Sequence, residues 1–321
     1  MSSSCGTCDS KKSGCPSSSS QAQAQAHIAQ QEVAIKTSLA KIKHKILVMS
    51  GKGGVGKSTV STNLALGLAK RGYQVGLMDV DLHGPDICRM LNLKQSLHEA
   101  DKRTGGLLPP IQATENLKVV SLEYMMEDRD DPIIWRGPLK IQAIRQFIAD
   151  IDWGNLDYLI IDAPPGTGDE PLTIANMIPD AQALVVTTPQ EIALADVRKS
   201  INFCHQVKMR IVGLVENMSG LICPHCNQVV DVFKSGGGEK TAKDFKVNFL
   251  GRVPMDPRVV IGGDDGNPYL SSSLESPAIA AFSGVIDNVV QKQSPAKPIP
   301  LAGKSTCGCG GGGCDPNKCD C

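Results

Sequence analysis

Aromatic side chains are scarce in this chain, 4% of 321 residues, too few to build a surface that stacks the bases of single-stranded nucleic acid. An excess of charge of either sign is missing too. Lys+Arg and Asp+Glu both number 33, giving a formal net charge of +0, which argues against the basic footprint of a duplex-DNA binder. No apolar run approaches the length of a membrane span. The N-terminus has no apolar signal core and too few arginines for a transit peptide, so the cytoplasm is the expected compartment. Without a secretory signal, the 12 cysteines do not read as a disulfide framework. The length suits one large α/β domain or two ordinary ones.

Those cysteines are unevenly placed. Cys5, Cys8 and Cys15 crowd the start, and Cys307, Cys309, Cys314, Cys319 and Cys321 crowd the end. Cys88 and Cys204 stand alone in helix-like segments and read as small buried hydrophobes. Cys223 and Cys226 form a Cys-x-x-Cys pair within GLICPHCNQVV (220–230). In a reducing compartment the clustered cysteines are metal-ligand or redox candidates. A closed tetrahedral site needs four donors, and no second Cys-x-x-Cys lies near the central pair.

Composition divides the chain into three. Residues 1–42 begin as a Ser-, Gly-, Cys- and Lys-rich tail and continue as a leader-helix sequence at 21–42, where Ile28, Val33, Ile35, Leu39 and Ile42 give an imperfect apolar stripe. Residues 43–293 alternate short apolar runs with helix-like stretches. KILVM (45–49), VGLMDVD (75–81), LKVVSL (117–122), YLIIDAP (158–164), ALVVTTP (183–189) and IVGLVENM (211–218) predict strands. Helices are predicted over 57–70, 138–150 and 191–207. Continuous Val/Ile/Leu runs mark strands buried on both faces, so the fold class is α/β, a mostly parallel sheet flanked by helices. Residues 294–321 read as a Pro-rich linker (294–305) and a Cys-rich tail.

SGKGGVGKST (50–59) fits G-x-x-x-x-G-K-[ST], between a predicted strand and a predicted helix. The loop Gly51, Lys52, Gly53, Gly54, Val55, Gly56 lets backbone N–H groups wrap an anion, and the helix opening at Lys57, Ser58 and Thr59 adds further donors. Lys57 suits the β/γ-phosphates and Ser58 suits Mg²⁺. A Gly-rich turn that binds nothing is the plainer alternative, and the strand–helix context weighs against it. Two acidic strand ends follow. MDVDLHGPD (78–86) carries Asp79 and Asp81, and YLIIDAPPGTGDE (158–170) carries Asp162. Asp162 suits a hold on the Mg²⁺ shell. Asp79 reads more simply as a brace, and Gly166 is free to approach a γ-phosphate.

GKGGVGKST resembles the deviant P-loop class that includes MinD, ParA, nitrogenase iron protein and the Mrp-type carriers. In that class the first lysine, here Lys52, reaches across a dimer to the partner's nucleotide; a solvated loop lysine is the bland alternative. The resemblance implies ATP as the nucleotide, Asp81 as the switch aspartate that orients water, and Asn217 as the adenine contact, where a turn-forming Asn is the alternative. IDAPPGTGDEPLT, VVTTPQEIALADVRK, VENMSGLICPHC, GGG and LGRVPMDPRV occur in the order seen in Mrp/ApbC-type iron–sulfur carriers. IIWRGPLK (133–140) is shared with the cytosolic nucleotide-binding-protein branch of that family. The resemblance covers roughly residues 42–290.

In that family two Cys-Pro-x-Cys pairs of a symmetric homodimer resemble two halves of one clasp around a [4Fe–4S] cluster. A two-fold axis turns two thiolates per chain into four. The same Cys223 and Cys226 also suit a Cys₄ zinc site, while disulfide exchange is less suited to a pair that follows a strand. The branch also carries four N-terminal cysteines for a second cluster. Cys5, Cys8 and Cys15 match only the last three in kind, and the C-terminal five are outside the family pattern; both tails are candidates for additional cluster or metal binding. The resemblance implies an ATP-hydrolysing carrier that takes a cluster from a donor and passes it to apo-proteins, as a homodimer or as a heterodimer with a paralogue. No nucleic acid or membrane partner is expected. The alternative is a MinD/ParA-like positioning or partitioning ATPase with structural zinc.

Overall fold

The computed structural model describes residues 30–81, 84, 86–93, 107–121, 123, 137–223, 226, 228–268 and 276–293. Cys5, Cys8, Cys15, Cys307, Cys309, Cys314, Cys319 and Cys321, the 294–305 linker and the Ile-Ile-Trp-Arg part of 133–140 lie outside the described residues.

A first helix, α1 (residues 30–40), leads into β1 (Ile42–Ser50). The predicted leader helix therefore stops short of residue 42. Ile42 pairs with Leu156 as the first rung of a parallel ladder and is 4% exposed, so strand pairing claims it. The apolar stripe narrows accordingly. Ile35 and Leu39, one helical turn apart, are buried, and Val33 points to solvent.

The remaining elements follow in order: α2 (Lys57–Lys70), β2 (Val75–Asp79), α3 (Ile87–Met90), β3 (Ile111–Thr114), β4 (Leu117–Ser121), α4 (Gly137–Ala149), β5 (Leu156–Asp162), α5 (Asp169–Met177), β6 (Gln182–Thr187), α6 (Glu191–Gln206), β7 (Arg210–Ile222), β8 (Val229–Val230), α7 (Gly237–Asp244), β9 (Phe249–Met255), α8 (Pro257–Asp264) and α9 (Pro277–Lys292). The nine strands of the described residues join one sheet of order β3-β4-β2-β5-β1-β6-β7-β8, with β9 also on β7. β3 and β8 run antiparallel to their neighbours and the other pairs are parallel.

The central strands read as unbroken apolar runs because both faces are covered. In β1, Leu47 and Met49 face a core built with Ile144, Phe147 and Ile148 of α4 and Val197 and Ile201 of α6. Ile46 and Val48 face the opposite core with Leu64 and Leu68 of α2 and Phe282, Val285 and Ile286 of α9. Several helix starts are written locally. Asp256 accepts from the Arg258 N–H before α8, Ser276 from the Ile279 N–H before α9, and each is followed by proline at the first helical position. Cys88 and Cys204 are buried, as their isolated placement predicts; burial pushes the Cys204 thiol up to about 12. Among the described residues no helix is long and apolar enough to cross a membrane.

Candidate functional site

The loop 51–56 leaves the carboxyl end of β1 and enters α2, in the crevice where open α/β sheets bind ligands. Gly54 and Gly56 have φ of 76° and 78°, left-handed values that side chains resist. Gly51 is needed for space instead, since a Cβ there would lie 2.4 Å from the Asp196 carbonyl carbon of α6. The N-terminus of α2 has no side-chain cap, so its first N–H groups are directed at whatever the loop encloses.

Lys57, 6% exposed, lies among three carboxylates. Its Nζ donates to Asp162 Oδ2 at 2.7 Å and stands 3.6 Å from Asp81 Oδ2. Burial alone would lower its pKa, but the charges of Asp162, Asp81 and Asp79, with the Asp162 hydrogen bond, leave it raised. Ser58 Oγ donates to the same Asp162 Oδ2 at 2.7 Å. A hydroxyl and a carboxylate oxygen side by side fit a hard cation such as Mg²⁺.

Asp79 and Asp162 are direct partners in the β2–β5 ladder. Burial, then the charge of Asp162, holds the Asp79 carboxyl well above the usual range, against the opposing pull of Lys57 and the Asp81 N–H. Asp79 is fully bracing in geometry: Oδ1 accepts from the Asp81 N–H at 3.0 Å and Oδ2 from Ser121 Oγ at 3.2 Å. Asp81 is thereby set with its carboxylate toward Lys57. The Gly166 N–H donates to the Ser50 carbonyl at 2.8 Å, which ties the loop after β5 to the end of β1. Lys52 is partly exposed at the loop's outer edge, its carbonyl held by Ser50 Oγ at 2.9 Å.

Asn217, buried in β7, donates from Nδ2 to the Val55 carbonyl at 2.9 Å. The amide is thus a strut of the loop; a base contact would have to use its second N–H or Oδ1. Two further residues, neither marked in the sequence, stand out: Ser61 braces the site itself, and Glu216 braces β7 against α7 away from the loop. Ser61 Oγ donates to Asp162 Oδ1 at 2.5 Å, one helical turn after Lys57. Glu216, fully buried, accepts from Ser219 Oγ and from the N–H groups of Gly236 and Gly238 at the start of α7. The i, i+4 spacing of Lys57 and Ser61 was a readable signal; nothing local announces the Glu216 contacts.

The cysteine pair does not meet the P-loop. Cys223 follows β7 and Cys226 sits in the turn between β7 and β8, exposed, with the Cys223 N–H donating to the Gln228 carbonyl at 2.9 Å. Among the described residues no group of three or more His, Cys, Asp and Glu is arranged to hold a metal ion, so the pair stands as two donors. Around it, Val229, Val230 and Val232 are exposed.

The family profile described as NUBPL iron-transfer P-loop NTPase, within ParA, matches residues 41–290. An iron–sulfur cluster carrier protein of Methanocaldococcus jannaschii is 46% identical over 286 residues, covering 89% of this chain and 97% of that protein. A cytosolic Fe–S cluster assembly factor NUBP2 homolog of Dictyostelium discoideum is 46% identical over 259 residues, covering 79% of this chain and 97% of that one. Among solved structures, the nucleotide-binding protein of Archaeoglobus fulgidus in complex with ADP superposes with a TM-score of 0.65 at 37% identity, covering 74% of this chain and 91% of the other. Loop, carboxylates, sheet order and relatives agree: the chain belongs to the iron-transfer P-loop NTPases, the family of the iron–sulfur cluster carriers and assembly factors.

Proposed function

We propose that this protein binds and hydrolyses ATP and carries a [4Fe–4S] cluster between the Cys223–Cys226 pairs of two copies, for delivery to apo-proteins. The observation that carries the reading is the half-complement of thiols, Cys223 half-buried and Cys226 exposed, followed by the exposed Val229, Val230 and Val232. Two thiols can secure a four-iron cargo only when another pair faces them. Further exposed apolar side chains, Leu139 of α4, Leu172 of α5 and Ile192 of α6, lie near helix starts at the carboxyl end of the strands, the same end as the P-loop. They favour self-association there. The cytosol is the compartment proposed, in keeping with the name of the Dictyostelium relative.

In the hydrolytic role Lys57 binds the β/γ-phosphate oxygens, giving up its bond to Asp162, and Asp81 orients the attacking water. Mg²⁺ held by Ser58, with Asp162 in its shell, would supply charge neutralisation between the phosphates. Lys52 supplies a cation to the partner's nucleotide, as an arginine finger does. Asn217 offers its remaining amide groups to the adenine edge.

The test is anaerobic reconstitution with iron and sulfide, counting Fe, S and Zn per chain for the native protein and for Cys223→Ala and Cys226→Ala. The reading expects sulfide-dependent iron that drops on loss of either cysteine. Stoichiometric zinc without sulfide at the pair would instead favour the positioning ATPase with a structural metal.

A further inference from the structure

The phosphate loop and the cysteine hairpin are separate sites, yet one strand touches both. Asn217 Nδ2 holds the Val55 carbonyl, and β7 lies so close to the loop that a Cβ on Gly56 would come within 2.3 Å of Asn217 Nδ2 and 3.6 Å of Met218 Cε. Six residues after Asn217 comes Cys223.

Between them the strand is irregular. Met218 has φ 55° and Gly220 φ 77°, and left-handed backbone at a methionine is stored strain. Pairing with β9 changes register across the same stretch, with Asn217 opposite Val253 and Leu221 opposite Met255. Four steps on β7 answer two on β9, which is a bulge. Past the bulge, Leu221 and Ile222 pair with Val230 and Val229, and the Cys223 N–H closes on Gln228. The thiols therefore ride on a short ribbon whose root is the bulge.

Glu216 pins that root from inside. Its Oε1 accepts from Ser219 Oγ at 2.5 Å and the Gly236 N–H at 2.9 Å, its Oε2 accepts from the Gly238 N–H, and Arg252 Nε lies 3.6 Å away. Ser219 belongs to the bulge, Gly236 and Gly238 to the start of α7, and Arg252 to β9. A carboxylate accepts all of these at once; an amide in its place would turn an NH₂ toward backbone N–H donors.

We propose that residues 216–220 couple the occupancy of the phosphate loop to the conformation of the cysteine hairpin, with Asn217 as the tether and Glu216 as the positioning residue that fixes the pivot. The proposal rests on the reading of the pair as the cargo site, but the movement belongs to the chain itself and is measurable without cargo. Phosphates drawn into the loop shift the Val55 carbonyl; Asn217 follows it. Glu216 keeps the strand before the bulge in place, so the change is taken up at Met218–Gly220 and appears at the ribbon beyond. Loading or release of metal then responds to nucleotide through a biased two-state element.

The experiment is amide hydrogen exchange on the metal-free full chain, with and without Mg²⁺ and a non-hydrolysable ATP analogue. Exchange in residues 219–232 should change by about five-fold or more on nucleotide addition, the low end of typical coupling between sites. In Glu216→Gln and in Ser219→Ala this response should fall below about two-fold while nucleotide protection of residues 51–60 persists. Ser219→Thr, which keeps the hydroxyl, should restore it. Alkylation of Cys226, followed by peptide mass, should report the same pattern. The proposal is overturned if the native hairpin is indifferent to nucleotide that protects the loop. It is equally overturned if folded Ser219→Ala responds as the native chain does. Iron counts on the same preparations judge the cargo reading separately: a hairpin that responds without holding iron supports the coupling and removes the cargo.

Discussion

Lys57 faces Asp79, Asp81 and Asp162 with a single positive charge, and the surplus negative charge weighs on Asp79, buried beside Asp162. Asp79 answers by holding its proton above the ordinary carboxylate range. A raised folded-state pKa adds stability in acid, below the unfolded value, and that contribution is lost as pH rises through the folded value. Asp79→Asn cannot ionise. Its stability relative to the native chain should therefore be least favourable in acid and improve as pH rises above the usual carboxylate range, read by urea unfolding without nucleotide across a pH series. A pH-independent difference would refute this assignment. The loop glycines give a second residue-scale contrast. Gly54→Ala meets nothing within 4 Å and bears only left-handed strain, about 1–2 kcal/mol. Gly56→Ala bears the same strain and also meets Asn217 Nδ2 at 2.3 Å, so it should weaken nucleotide binding far more, as calorimetry with ADP would show. Equal losses would mean that contact with β7 is unimportant. Most of this site was legible: Gly51 to Thr59, Asp81 and Asp162 announce themselves by type and spacing. Asn217's grip on Val55 was not, because it joins residues that only the sheet order brings together.

The elements differ in how much they owe to local signals. α2, α4 and α6 appear within a residue or so of their predicted bounds, since their apolar spacing serves one core each. The leader helix was overextended because Ile42 fits a helical stripe as well as a strand, and only pairing with Leu156 decides. β8 and β9 carry little alternation to read; β8 is two residues held by the hairpin. α1 is attached through Ile35 and Leu39. Leu39→Ala should cost about 2–4 kcal/mol locally, visible as faster amide exchange in residues 30–40, with ADP binding unchanged. Slower nucleotide binding in that variant would show that α1 reaches further than its contacts. At the hairpin, Val229→Ser and Val230→Ser expose no core and should move monomer stability by no more than about 0.5 kcal/mol. They should nonetheless weaken self-association in sedimentation; a lowered melting temperature with intact association would reverse this view of the valines.

For the whole molecule, two functional ends are carried on one sheet. The P-loop sits at its middle, and the thiols project from β7 on the flank. Under the proposed function, Lys52 of another copy would bring a cation to the nucleotide, and that copy's cysteine pair would add two donors to Cys223 and Cys226. One symmetric association would serve both. Lys52→Ala should then lower ATP turnover by about a hundred-fold or more, in line with a cation supplied in trans, while the affinity of a single chain for ADP stays close to native; unchanged turnover would return Lys52 to the status of a solvated lysine.

Native mass spectrometry of the reconstituted full chain with Mg²⁺ and a non-hydrolysable ATP analogue, set against the Cys223→Ser/Cys226→Ser double variant, weighs the central claim most directly. The account predicts a two-chain species holding a single cubane cluster that the double variant lacks. A one-chain species retaining that cluster through Cys223 and Cys226 would contradict it.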